Sequence, residues 1–114
     1  MDETRGLTVR EAGGAGIIDI KGDLNASAEE ALSNAFSRAA EAGVVVVLNF
    51  EGLEYMNSSG IGLLVTLLIR ANRQKKRLVI CGLTEHYRHI FQITRLDDAI
   101  TIFATEDDAL ASVK

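Results

Sequence analysis

The stretch Val44-Val45-Val46-Val47-Leu48-Asn49-Phe50 decides the fold. Its aliphatic residues, most of them β-branched, follow one another without the polar alternation of a strand that shows one face to water. A strand apolar on both faces belongs in the middle of a sheet covered by helices. Upstream, Ser27 with Glu30 three residues later forms a capping box. Ala28, Ala31, Leu32, Ala35, Phe36, Ala39 and Ala40 then recur at helical spacing as one apolar stripe, closed by Gly43. Earlier still, Leu7-Thr8-Val9 and Ile17-Ile18-Asp19-Ile20 flank Gly13-Gly14, the pattern of two strands joined by a tight turn.

Downstream, a second helix is predicted over about 58–75, followed by the buried strand Leu78-Val79-Ile80-Cys81, which Gly82 closes. Thr84 opens a third helix with Tyr87, Ile90 and Phe91 on its inner face, and Ile100-Thr101-Ile102-Phe103 is a last strand. Thr105, with Glu106, Asp107 and Asp108 at the positive end of the dipole, opens a terminal helix. The order is ββαβαβαβα. Strands joined through helices run parallel with right-handed crossovers, and the opening pair adds an antiparallel hairpin. The predicted class is α/β: a mixed, mostly parallel β-sheet with covering helices.

The 114 residues suit one domain, and no repeat, low-complexity tract or composition break divides them. With 47% hydrophobic and 25% charged residues the chain is not of the disordered class. The formal charge of −4 and pI near 5.1 speak against binding a phosphate backbone, so no nucleic-acid partner is expected. No run reaches the ~18 apolar residues of a membrane span. The start Met1-Asp2-Glu3-Thr4-Arg5 lacks the basic and apolar regions of a leader. One cysteine, Cys81, allows no internal disulfide and suits a reducing compartment. A cytoplasmic protein, monomeric or weakly dimeric, without direct membrane insertion, is expected.

The chemistry concentrates between the central strand and the second helix, in Leu53-Glu54-Tyr55-Met56-Asn57-Ser58-Ser59-Gly60-Ile61-Gly62. Loops after parallel strands are where function usually sits in open α/β sheets. One role is plain capping, with Asn57 or Ser58 accepting hydrogen bonds from free N–H groups. Gly60 and Gly62 add a second signal. Glycine inside a helix costs ~1 kcal/mol relative to alanine, which suggests that something approaches the backbone closely. A hydroxyl at a helix N-terminus is also a good phosphoacceptor, because a phosphate there faces free N–H groups and the positive dipole end.

Gly22-Asp23-Leu24-Asn25, Val46-Val47-Leu48-Asn49-Phe50, Leu53 and Tyr55-Met56-Asn57-Ser58-Ser59-Gly60-Ile61-Gly62-Leu63-Leu64 together resemble the STAS domain, and within it the bacterial anti-anti-sigma factors (anti-sigma-factor antagonists). The likeness continues through Leu78-Val79-Ile80-Cys81-Gly82, Ile90-Phe91, Leu96 and Ile100-Thr101-Ile102-Phe103, covering about 7–111. The resemblance implies a small α/β domain that binds an anti-sigma factor with serine-kinase activity. It implies phosphorylation at the position of Ser58, release of the phosphorylated form, and restoration by a PP2C-type phosphatase. The protein is then a substrate of enzymes, not an enzyme, and needs no cofactor or metal. Where sporulation and stress-response members carry aspartates, this sequence has Asn57 and Asn25. The partner-binding surface so implied comprises Asn25, Asn57, Ser59, Gly60, Ile61 and Gly62. The alternative is a non-switching STAS scaffold in a membrane-associated transport or signalling assembly.

The second helix has more apolar residues than one face needs. Ile61, Leu64, Val65 and Leu68 form a core stripe, while Leu63 and Leu67 lie on a separate ridge that either packs on a neighbouring helix or forms a docking face beside Ser58. Met56 stands where a hydrolase nucleophile elbow needs glycine. Gly60-Ile61-Gly62 lacks both the third glycine of a dinucleotide fingerprint and a P-loop lysine. His86 and His89 read as an exposed pair rather than a metal site, and Cys81 as a core residue. Arg70, Arg73, Lys75, Lys76 and Arg77 put five of the 12 basic residues in one run, suited to a helix C-terminus or to an acidic partner or anionic lipid.

Overall fold

The computed structural model describes residues 2–4, as backbone, and 6–113; Met1 and Arg5 of the N-terminal stretch lie outside the described residues, as does Lys114. The main sheet is ordered β1 (Asp2–Thr4), β2 (Leu7–Ala12), β3 (Ala15–Ile20), β5 (Val45–Asn49), β7 (Arg77–Cys81), β8 (Thr101–Phe103). β1, β2 and β3 pair antiparallel, whereas β3, β5, β7 and β8 pair parallel. Among the described residues, the α-helices α1 (Glu29–Glu41), α2 (Ser58–Arg73), α3 (Glu85–Ile93) and α4 (Glu106–Ala111) connect or close these strands. The β2–β3 turn is made by Gly13 and Gly14, with φ of +60° and +82°. A two-residue type I′ turn needs positive φ at both central residues, which glycine supplies without steric cost.

β5 occupies the centre, and all five of its residues are buried. Alternate residues divide between two cores. Ile18 and Ile20 of β3, Val46 and Leu48 of β5, and Leu78 and Ile80 of β7 meet Leu32 and Phe36 of α1, Leu64 and Leu67 of α2, and Tyr87 and Phe91 of α3. Ala15, Ile17, Val45, Val47, Val79 and Cys81 point the other way, into a smaller core beneath Ala109 of α4. The period of two thus sorts one apolar sheet between two layers. Burial pushes the Cys81 thiol up to about 12, which leaves it a core residue without thiolate character.

On the α4 side the last inward positions of β3 and β5 are polar. Arg10 of β2 grips Asp19 through Nε (2.6 Å) and Nη2 (3.0 Å), and reaches both carboxylate oxygens of Glu106 at the start of α4. Asn49 Nδ2 donates to Glu106 Oε1 at 2.9 Å, and Asn49 Oδ1 accepts the Glu51 N–H. The acids of the terminal helix therefore do more than complement its dipole: Glu106 pins α4 to the sheet.

Several local expectations need correction. Ser27 does not cap α1. Asn25 Oδ1 accepts the Ser27 N–H at 2.9 Å and opens a short 3₁₀ turn, Ala26–Ala28, which moves the start of α1 to Glu29. The central strand begins at Val45, with Val44 62% exposed. α2 ends at Arg73, and Lys75 takes the left-handed conformation (φ +57°) that leads the chain into β7. The expected order lacks two short strands, β4 (Gly22–Leu24) and β6 (Leu53–Met56), which pair parallel as a separate ribbon. It lacks β1 as well.

The hydrogen bond from Arg10 holds the Glu106 carboxyl below its ordinary value of 4.5; desolvation opposes this and Asn49 adds to it. A carboxylate lowered in the native state contributes stability in full above its unfolded value, and loses it as pH falls through the lower native one. Thermal melts from pH 7 downward should therefore lose stability more steeply below about pH 4.5 in the parent than in Glu106→Gln, which starts lower and stays flatter. Parallel curves would show that this carboxylate is not coupled to folding.

Candidate functional site

After β5 the chain turns back at residues 50–52, where Phe50 N–H donates to Cys81 O and Leu53 N–H to Phe50 O. It then runs as β6 beside β4, with Leu24 opposite Met56. This pairing brings two segments distant in sequence, 22–25 and 53–60, into one surface. Leu24, Leu53 and Met56 are buried, whereas Glu54 and Tyr55 face outward, Tyr55 being 57% exposed.

Asn57 caps α2. Its Oδ1 accepts the Gly60 N–H at 2.9 Å and its carbonyl accepts the Ile61 N–H, while its own N–H donates to Leu24 O at 3.3 Å. Asparagine and aspartate cap about equally well. Asn57 therefore keeps the cap geometry of an aspartate and removes its negative charge. Because Asn57 takes the capping role, Ser58 and Ser59 are left exposed in the first turn, without a side-chain hydrogen bond among the described residues. Their N–H groups are also unpaired there, as expected at the start of a helix. α1, α3 and α4 each carry acids in the first turn, but α2 carries none. The positive end of its dipole is thus left uncompensated beside two accessible hydroxyls.

The two glycines have different roles. A side chain at Gly60 would meet Leu24 O at 2.4 Å and Met56 Cγ at 2.9 Å, so the close approach expected here is internal, between α2 and the β4–β6 ribbon. Gly62 faces open space: a Cβ there would have nothing within 4 Å. Asn25, one residue beyond β4, is occupied as the cap of its 3₁₀ turn.

The face of α2 also differs from expectation. Its buried line is Gly60, Leu64, Leu67 and Ala71. Leu67 is only 4% exposed, so it belongs to the core and not to an outer ridge, and Leu63 is half-buried against the same core. Ile61, Val65 and Leu68, expected as core, are partly exposed, with Ile61 and Leu68 on its margin. The outward line is instead Ser58, Gly62, Val65 and Ile69, at i, i+4, i+7 and i+11, and Ile69 is 50% exposed. An accessible hydroxyl, a bare glycine and two aliphatic side chains form one ridge.

The remaining constellations settle into the fold. Lys76 Nζ donates to the carbonyls of Ala40 (2.8 Å), in the last turn of α1, and Gly43 (3.0 Å), just past its end. Arg77 donates to Ser112 O at the end of α4, and Arg70 lies 4.8 Å over the Phe36 ring while bonding Ser33 and Ser37. Two of the five basic residues, Lys76 and Arg77, thus serve the carbonyl ends of helices other than α2. His86 and His89 are exposed, and among the described residues no group of three or more His, Cys, Asp or Glu side chains could hold a metal ion.

The STAS domain profile matches residues 7–109. The chain belongs to the STAS domain family. A STAS relative, the anti-sigma-B factor antagonist of Staphylococcus aureus, is 35% identical over 57 residues; the match spans 50% of this chain and 53% of that protein, about half its length. The Bacillus cell fate determinant SpoIIAA, solved in its phosphorylated form, superposes with a TM-score of 0.72 at 25% identity, covering 95% of this chain and 99% of that one. A sulfate transporter family protein from Wolinella succinogenes shares the fold, with a TM-score of 0.76 at 18% identity over 92% of this chain and 88% of that one.

In this STAS domain the two α2 glycines should respond oppositely to alanine. Gly60→Ala must push the helix off the Leu24 carbonyl and should destabilise by ~1–3 kcal/mol. Gly62→Ala meets nothing and removes a flexible helical residue, so it should stabilise by ~0.5–1 kcal/mol. Urea titrations of both variants would check this. A Gly60→Ala protein as stable as the parent would mean that the helix start is not seated on β4.

Proposed function

We propose that this protein is an anti-sigma-factor antagonist that works by partner exchange. Unphosphorylated, it captures an anti-sigma factor with serine-kinase activity; phosphorylated on Ser58, it releases that factor, and a PP2C-type phosphatase restores the binding form. The observation that carries this function is the Ser58 hydroxyl: exposed, unbonded, at an α2 start with no acidic residue, and at the head of the Val65–Ile69 ridge. A phosphate there adds roughly two negative charges next to open N–H groups, so the helix tolerates what a partner approaching the ridge does not. The Staphylococcus relatives named anti-sigma-B factor antagonist, and the phosphorylated SpoIIAA structure, support the same role. The alternative is a non-switching STAS scaffold in a membrane-associated transport or signalling assembly, in which Ser58 carries no phosphate; a sulfate transporter family protein has the same fold.

Incubation with the cognate anti-sigma kinase and Mg-ATP should add one phosphate, found on Ser58 by peptide mass spectrometry. Label on Ser59 alone would move the acceptor, and label on neither would favour the scaffold. In titration calorimetry Ser58→Ala should bind the anti-sigma factor at least as well as the parent. Its stability should change by no more than ~0.5 kcal/mol, since this hydroxyl caps nothing. Ser58→Asp should lose ~2.8 kcal/mol or more of binding, about a hundredfold, through desolvation of an unpaired charge. Equal affinities for all three proteins would sink the switch.

The ridge itself can be probed on both sides of α2. Ile69→Asp, at an exposed position, should keep the parental melting temperature and weaken the anti-sigma complex. Leu67→Asp buries a charge in the core and should lower the melting temperature sharply. Undiminished binding by Ile69→Asp would remove the ridge from the interface.

A further inference from the structure

Three tethers hold the backbone that presents Ser58. Two come from the β4–β6–α2 unit: Asn57 N–H to Leu24 O, and the Asn57 cap onto Gly60. The third comes from a different helix. The Met56 N–H, two residues before Ser58, donates to the hydroxyl oxygen of Tyr87 at 2.8 Å, in a buried position. β6 pairs with β4 on one edge only, so its other edge stands open to α3. Tyr87 is 6% exposed and firmly placed. Its own N–H is taken by Thr84 Oγ1, the cap of α3, and its ring meets the His86 ring edge-on at 4.9 Å. The first turn of α3 thus fixes Tyr87, Tyr87 fixes Met56, and Met56 leads directly into Asn57 and Ser58.

We propose that Tyr87 is a positioning residue for phosphoryl transfer to Ser58, its hydroxyl locking the backbone before α2 to the start of α3. The role rests on Ser58 being the phosphoacceptor. Transfer demands that the acceptor oxygen be held in line with the donor phosphorus, and a small misplacement of the acceptor costs rate steeply. Neither the Tyr87 ring nor its hydroxyl lies on the Ser58–Ile69 ridge. Its loss should therefore act on the turnover step and leave the capture of the kinase intact.

Tyr87→Phe tests this, because the ring still fills its site while the buried Met56 N–H loses its acceptor. Amide exchange followed by NMR should accelerate at Met56 at least tenfold more than at Val47 in the centre of β5. With the cognate anti-sigma kinase and Mg-ATP, kcat for Ser58 should fall at least tenfold while KM changes less than threefold. Ile100→Val, a remote and mild core deletion, supplies a variant of lowered stability that keeps the hydroxyl, and it should leave both kinetic constants near the parental values. Unchanged exchange at Met56 overturns the tether. A fall in kcat matched by Ile100→Val, or a change confined to KM, overturns the positioning role while leaving Ser58 as the acceptor. A parent that takes no phosphate on Ser58 overturns the acceptor assignment and this role with it.

Discussion

Everything in this fold follows from a strand buried on both faces. β5 has to be covered on both faces, and the parallel neighbours β3 and β7 repeat the same division of residues, so the sheet must be sandwiched. The sandwich is unequal. α1, α2 and α3 cover one face, while the six-residue α4 covers the other. A helix that short is marginal on its own in water. The Arg10–Asp19–Glu106–Asn49 network compensates by tying its first residue to two strands at the point where the aliphatic face of the sheet gives way to polar side chains.

The same constraint locates the candidate functional surface. β5 is saturated by its neighbours, so the chain leaving it cannot extend the main sheet there and builds the β4–β6 ribbon instead. That ribbon is the seat of α2. Gly60 rests on the Leu24 carbonyl and Asn57 bonds to it, which fixes both the height and the rotation of the helix. Capping by Asn57 then frees the two serines that follow. The sequence alone leaves the cap open between Asn57 and Ser58; the structure gives it to Asn57 and leaves the serine hydroxyls exposed.

What the sequence makes legible follows from how strongly each segment is periodic. β5, β7 and the alanine-rich stripe of α1 bury whole faces, and their patterns survive any local adjustment. Gly22-Asp23-Leu24 and Leu53-Glu54-Tyr55-Met56 hold only three buried side chains between them, too few for a period to show. Asn25 and Ser27 are both good caps; the choice between them depends on a 3₁₀ turn that neither residue announces. In α2, Ile61, Leu63, Leu64, Val65, Leu67, Leu68 and Ile69 run around most of the helix, so hydrophobicity alone selects no face. Size is the signal that does select one. Gly60 and Ala71 stand at the two ends of the buried line, and at Gly60 even a Cβ would strike the Leu24 carbonyl.

That rotation of α2 separates its buried line from its exposed one. Gly60, Leu64, Leu67 and Ala71 lie on one side, and Ser58, Gly62, Val65 and Ile69 on nearly the opposite one at 100° per residue. The buried line stabilises the fold whatever the outer ridge carries, and a charge added at Ser58 does not reach the core. Arg70 reinforces the arrangement by lying over Phe36 and bonding Ser33 and Ser37, which holds the far end of α2 against α1. A helix anchored at both ends and bare along one side presents its surface without needing to move. In the proposed switch, a phosphate on Ser58 would act through charge and desolvation at the ridge, with the backbone on either side of Ser58 held in place.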